Sequence, residues 1–169
     1  PDGRALRRWR HALSRGTGFA PRSRPARLGP MPHLSVDGAT VEALLSKAGF
    51  PVERISSDTY RTRFRGRVRT HPILLRIDPE GYIHFAVVPY LESPTDPGLS
   101  AALYHRLLEL NQSLLFAKFS IDDDLDVVLS VEYPTQELDE SEFVDALDTL
   151  TYYAEKLHEE LSDLVRRAI

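Results

Sequence analysis

Two rhythms of apolar residues run along this chain, and the switches between them mark its elements. Tyr60, Thr62, Phe64 and Val68 alternate with Arg61, Arg63, Arg65, Arg67 and Arg69. Period two predicts a strand over residues 59–69 with one buried and one solvated face. Gly66 within it predicts a turn or bulge that breaks the ladder. Residues 73–77 and 82–90 read as two further strands, the latter with Ile83, Phe85 and Val87 on one face. Asp78-Pro79-Glu80-Gly81 forms the tight turn between them. Residues 117–121 and 127–133 read as a hairpin around the acidic turn Asp122-Asp123-Asp124, and Pro134 ends it.

The other rhythm is helical. Val41, Leu44 and Leu45 predict a short helix over residues 37–48, stopped by Gly49. Leu103, Leu107, Leu110 and Leu114, spaced 4, 3 and 4 apart, predict a second helix over residues 99–114. The last helix opens with agreeing signals. Asp139 is the N-cap, Glu142 sits three residues on, and Leu138 can staple onto Phe143. Its seam then runs 4-3-4-3-4-3-4 through Phe143, Leu147, Leu150, Ala154, Leu157, Leu161, Leu164 and Ala168. Such a helix is about 40 Å long at 1.5 Å per residue, against a radius of gyration of about 14 to 15 Å for a domain of this size. Part of the seam, at Leu150, Tyr153, Leu157, Leu161 and Leu164, is therefore a candidate contact with a second copy.

The order is α-β-β-β-α-β-β-α. Tight hairpins imply antiparallel pairing. The expected fold is α+β and two-layered, an antiparallel five-stranded sheet with helices on one face and the other face partly free.

Charge changes this picture at one end. Residues 1–30 hold eight Arg and one Asp, whereas residues 31–169 hold 13 Lys plus Arg and 24 Asp plus Glu. The basic segment is rich in Pro and Gly and is expected to be a disordered extension outside the fold, with Met31 as the natural start. A targeting peptide and a basic arm for nucleic acid are the alternatives. Arg7-Arg8 precedes no apolar run, which argues against a twin-arginine signal. Residues 31–169 form the domain. Its acidity favours a basic protein partner, such as a nucleic-acid-binding protein, and disfavours direct nucleic-acid binding.

Chemistry subtracts more than it adds. The chain has no Cys, so it can hold no disulfide, thiol nucleophile or zinc-thiolate site, which suits a cytoplasmic protein. No apolar run reaches the roughly 20 residues of a membrane span. The six His residues show no i, i+4 pair. Counted from Asp122, the sixth and twelfth positions of a calcium loop are Val127 and Tyr133 instead of Gly and Glu. No catalytic set, cofactor loop or metal motif can be read, so no cofactor is expected and an enzyme is disfavoured. The best local hint is the Arg61, Arg63, Arg65, Arg67 and Arg69 stripe, whose guanidinium groups suit carboxylate or phosphate.

One stretch carries a family resemblance. From Leu103 to Ile121 stand Leu-Tyr, then Leu-Leu-Glu-Leu-Asn, then Phe-Ala-Lys-Phe-Ser-Ile. The closing helix adds Asp139, Phe143, Leu147, Leu150, Tyr152 and Tyr153. The chain resembles the YbjN family, and the wider group sharing its fold with type III secretion chaperones, over most of residues 38–168. The resemblance implies a small, acidic, often dimeric bacterial protein that binds another protein without chemistry, as a chaperone or adaptor linked to stress responses or regulation. The alternative reading is a nucleic-acid-binding accessory protein that uses the N-terminal arm and the Arg61–Arg69 stripe.

Overall fold

A computed structural model of the chain describes residues 36–136 and 138–166. The readings made for residues 1–30 lie outside this range. The elements run α1 (Gly38–Lys47), β1 (Glu53–Arg54), β2 (Thr59–Arg65), β3 (Thr70–Asp78), β4 (Tyr82–Leu91), α2 (Pro97–Ser113), β5 (Ala117–Ile121), β6 (Val127–Pro134) and α3 (Glu140–Arg166). The strands form a six-stranded sheet in the order β1-β2-β3-β4-β6-β5, antiparallel throughout. The fold is the expected α+β arrangement with one strand more. The extra strand, β1, has only two residues and so carries no period to read.

Each helix starts where its capping residue stops the preceding strand or loop. Asp37 accepts the Thr40 N–H at 2.8 Å, and Asp96 accepts the Leu99 N–H at 2.9 Å. At α3 the bonding is reciprocal. The Glu142 N–H donates to Asp139 at 2.8 Å, and the Asp139 N–H donates back to Glu142 at 3.0 Å. Beside this cap, Leu138 and Phe143 are both buried in the core.

Alternation sorts the sheet into two faces. Tyr60, Ile73, Leu75, Ile83, Phe85, Val87, Leu129 and Val131 turn to the helices and join Val41, Leu45, Leu103, Leu107, Phe143, Leu147 and Leu150 in one core. Phe85 and Phe143 meet edge to face, with ring centroids 5.1 Å apart. On the other face, Leu74, Ala86, Val88 and Val128 form a second, smaller buried cluster. The outer edge at β5 is held from α2. Asn111 donates to the Phe119 carbonyl at 3.0 Å and accepts the Phe119 N–H at 2.8 Å.

The strand expected over residues 59–69 ends early. Residues 66–69 turn the chain into β3, with the Gly66 N–H donating to the Arg69 carbonyl at 2.9 Å. Val68, placed by alternation on the buried face, stands 73% exposed at the tip. The turn wins over the strand period because α3 reaches up to it. The Glu155 carboxylate accepts the Arg67 N–H at 2.8 Å and lies 3.2 Å from His71 Nε2.

Candidate docking edge

The five arginines of the stripe have three different surroundings. Arg61, Arg63 and Arg65 share one face of β2, whereas Arg67 and Arg69 belong to the turn. Arg61 lies 3.6 Å from Glu53 on β1. The Arg67 side chain stands beside Glu155 at 3.5 Å. Arg69 donates to the Tyr90 carbonyl at 3.3 Å. Arg63 and Arg65 are exposed and have no carboxylate partner among the described residues.

Their backbone is open too. The Gly66 N–H bonds across to Arg69, and the Ile55 N–H bonds to the Thr59 carbonyl. Even-numbered residues of β2 therefore bond toward β3, and odd-numbered ones face the β1 side. β1 pairs only Glu53 with Arg61 and Arg54 with Tyr60. Continuing that register would set Pro51 opposite Arg63, and proline has no N–H to offer. The chain departs there, and among the described residues no backbone group pairs with Arg63 or Arg65 from this side. The gap is an open cleft of about 690 Å³, bordered by Phe50, Pro51, Arg63, Phe64, Arg65 and Thr70. It can accept an extended backbone, and its free guanidinium groups favour carboxylate side chains at alternate positions.

The candidate seam residues on α3 are mostly engaged at home. Leu150, Leu157 and Leu161 are buried in the chain's own core, and Tyr153 and Leu164 pack at its margin. Three exposed apolar side chains lie near them. Leu115, Phe116 and Tyr152 stand 69%, 74% and 56% exposed. The Tyr153 hydroxyl accepts the Leu115 N–H at 3.2 Å, Tyr152 packs on Tyr153, and Phe116 stacks on Tyr133.

At the acidic turn, Asp122 accepts the N–H groups of Asp124 and Asp126 at 3.0 and 2.9 Å. Among the described residues no group of three His, Asp or Glu converges as metal ligands would.

A polar cluster that the sequence did not reveal joins the turn to α3. His71 is fully buried, and its ring meets that of His158 edge-on at 5.5 Å. Tyr90 packs against both, and its hydroxyl donates to the Ala154 carbonyl at 3.1 Å. Burial pushes both imidazoles below their usual pKa, with Glu155 opposing the shift at His71 and Arg69 adding to it at His158. The Arg67 N–H, then His71, hold the Glu155 carboxyl below its usual range. His71 and Glu155 are 84 positions apart, so no local spacing could announce the pair.

The architecture of the described residues is an antiparallel six-stranded sheet with three helices, open along part of β2. Solved structures that share the fold include two protein complexes. One is the heterodimeric complex ExoU-SpcU from the type III secretion system of Pseudomonas aeruginosa, at 23% identity and TM-score 0.52, covering 74% of this chain and 97% of the matched one. Another is the ExsC-ExsE complex, at 17% identity and TM-score 0.56, covering 75% and 97%. No match was found among curated proteins. The YbjN family, described as "Putative bacterial sensory transduction regulator", matches residues 37–162, and the chain belongs to it. Among the described residues no helix is long and apolar enough to cross a membrane.

Proposed function

We propose that this protein is a non-enzymatic, chaperone-like adaptor that works as a cytoplasmic homodimer and takes an extended segment of a client protein as an added strand on β2. The observation that carries this reading is the open edge at Arg63 and Arg65, where unpaired backbone and unpaired guanidinium groups coincide. Both structural neighbours are complexes of two different proteins, which supports a protein partner. Residues 31–169 carry 24 acidic against 13 basic residues, which favours a client that is basic overall. The docking segment itself carries acidic residues at every second position, opposite Arg63 and Arg65. A role in stress response or regulation is the biological setting that we attach to this adaptor.

A fluorescent hexapeptide, Thr-Glu-Val-Glu-Val-Thr, tests the edge by anisotropy at low salt. We expect saturable binding that weakens about tenfold or more in the R63E/R65E double variant, as loss of two charge-assisted contacts requires. A Lys-for-Glu peptide and a peptide N-methylated on the pairing backbone should both fail to bind. Equal binding of the acidic and basic peptides, or indifference to N-methylation, would refute docking as a strand.

A further inference from the structure

A second cavity, of about 340 Å³, lies where β4 ends against the last turns of α3. The pairing of β4 with β6 creates it. Val87 pairs with Leu129, but the next pair is Leu91 with Val127, so β4 carries extra residues between them and bulges from its neighbour. Leu91 and Val165 give the cavity apolar walls.

Its charged side chains are two arginines and one carboxylate. Arg69 enters from the β2–β3 turn, with one nitrogen fixed on the Tyr90 carbonyl at 3.3 Å and its other donors left over. Arg166 stands at the mouth, loosely held by Asp163 at 3.4 Å. His158 lines the floor and is only 8% exposed, yet its Nδ1 is buried with no hydrogen-bond partner. Its Nε2 lies 3.4 Å from the Ser162 hydroxyl, which also faces the cavity. Glu92 is the one carboxylate among the lining residues. Glu155 reaches His71 and the Arg67 backbone instead.

The two guanidinium groups that line the cavity provide charge for an anion and planar geometry for its oxygens. The volume falls within the range of small-molecule sites, roughly 300 to 1,000 Å³, where apolar walls surround a few polar groups. We infer that this cavity binds a small ligand with one phosphate or carboxylate group and a compact apolar body. Arg69 and Arg166 hold the anionic end, with Ser162 as a further donor beside His158, and Leu91 and Val165 take the body. This site is separate from the β2 edge, and its existence does not depend on a protein client.

Burial, then Arg69, His71 and Arg166, keep the His158 imidazole neutral. A bound anion would offset those cations and raise its pKa, which gives a direct readout. The full-length protein is titrated with inorganic phosphate, and separately with acetate, at fixed ionic strength, while the His158 ring signals are followed by NMR. We expect saturable movement of those signals and an upward shift of the His158 pKa with at least one probe. Phosphate alone assigns a phosphate ligand, acetate alone a carboxylate, and both a general oxyanion site. The variants R69Q, at a half-buried position, and R166Q, at an exposed one, should weaken binding, R69Q by about tenfold or more, whereas K47Q on α1 should not. No saturable shift with either probe, or a shift unchanged in R69Q, would overturn the inference.

Discussion

Gly66 shows how far one missing methyl group reaches. A Cβ built there would overlap the Glu155 carboxylate and sit 3.1 Å from the Arg69 carbonyl. The carboxylate could swing away, but only by giving up the Arg67 N–H and His71. Gly66→Ala should therefore cost about 1.5–3 kcal/mol, the range of a hydrogen bond to a charged group. E155Q should cost a similar amount, and the double variant clearly less than the sum. Urea denaturation of the four proteins checks this, and strict additivity would show that Gly66 acts on something other than Glu155. Gly66 was legible in the sequence as a ladder break. Its partner was not, because α3 lies some 90 positions away and a helical Glu looks the same whether it meets solvent or a turn.

At the scale of elements, the His71–His158–Tyr90 cluster fastens the β2–β3 hairpin to α3. Both imidazoles titrate below their usual 6.5 in the folded chain. The unfolded chain then binds more protons than the folded one as pH falls through about 6.5, so stability falls with it. The Glu155 carboxyl, also lowered, adds a further loss only below about 4.5. Between pH 7 and 5 the urea midpoint should drop, and H158Q should flatten that drop. A midpoint independent of pH across this window would contradict the neutral, buried imidazoles. Most of the elements could be read beforehand because each carries its own period or cap, as α3 does at Asp139 and Glu142. The two failures share a cause. β1 and the end of β2 are set by pairing and by a contact from α3, neither of which leaves a repeat in the local sequence.

For the whole molecule, the question is which surface meets a second copy. The heptad-like seam on α3 is largely used up internally, since Leu150 and Leu161 are 0% exposed. A long helix across a six-stranded sheet finds its apolar partners at home. The proposed homodimer would draw instead on Leu115, Phe116 and Tyr152. Phe116 also has a left-handed backbone, φ 64°, which Asn tolerates better than Phe. F116N should then shift full-length protein from dimer to monomer in size-exclusion chromatography with light scattering, with unfolding stability kept or raised. A wild-type protein that is monomeric at high micromolar concentration would remove the dimer. A dimer untouched by F116N would place its interface elsewhere. The two borders of the sheet also differ, which bears on assembly. Asn111 answers both backbone groups of Phe119 with its side-chain amide, as a neighbouring strand would. β5 is plugged at this point by its own helix, while β2 stays open at Arg63 and Arg65. With β5 stoppered at Phe119 and β2 vacant at Arg63 and Arg65, the two borders do not match, which disfavours head-to-tail pairing of sheet edges between copies.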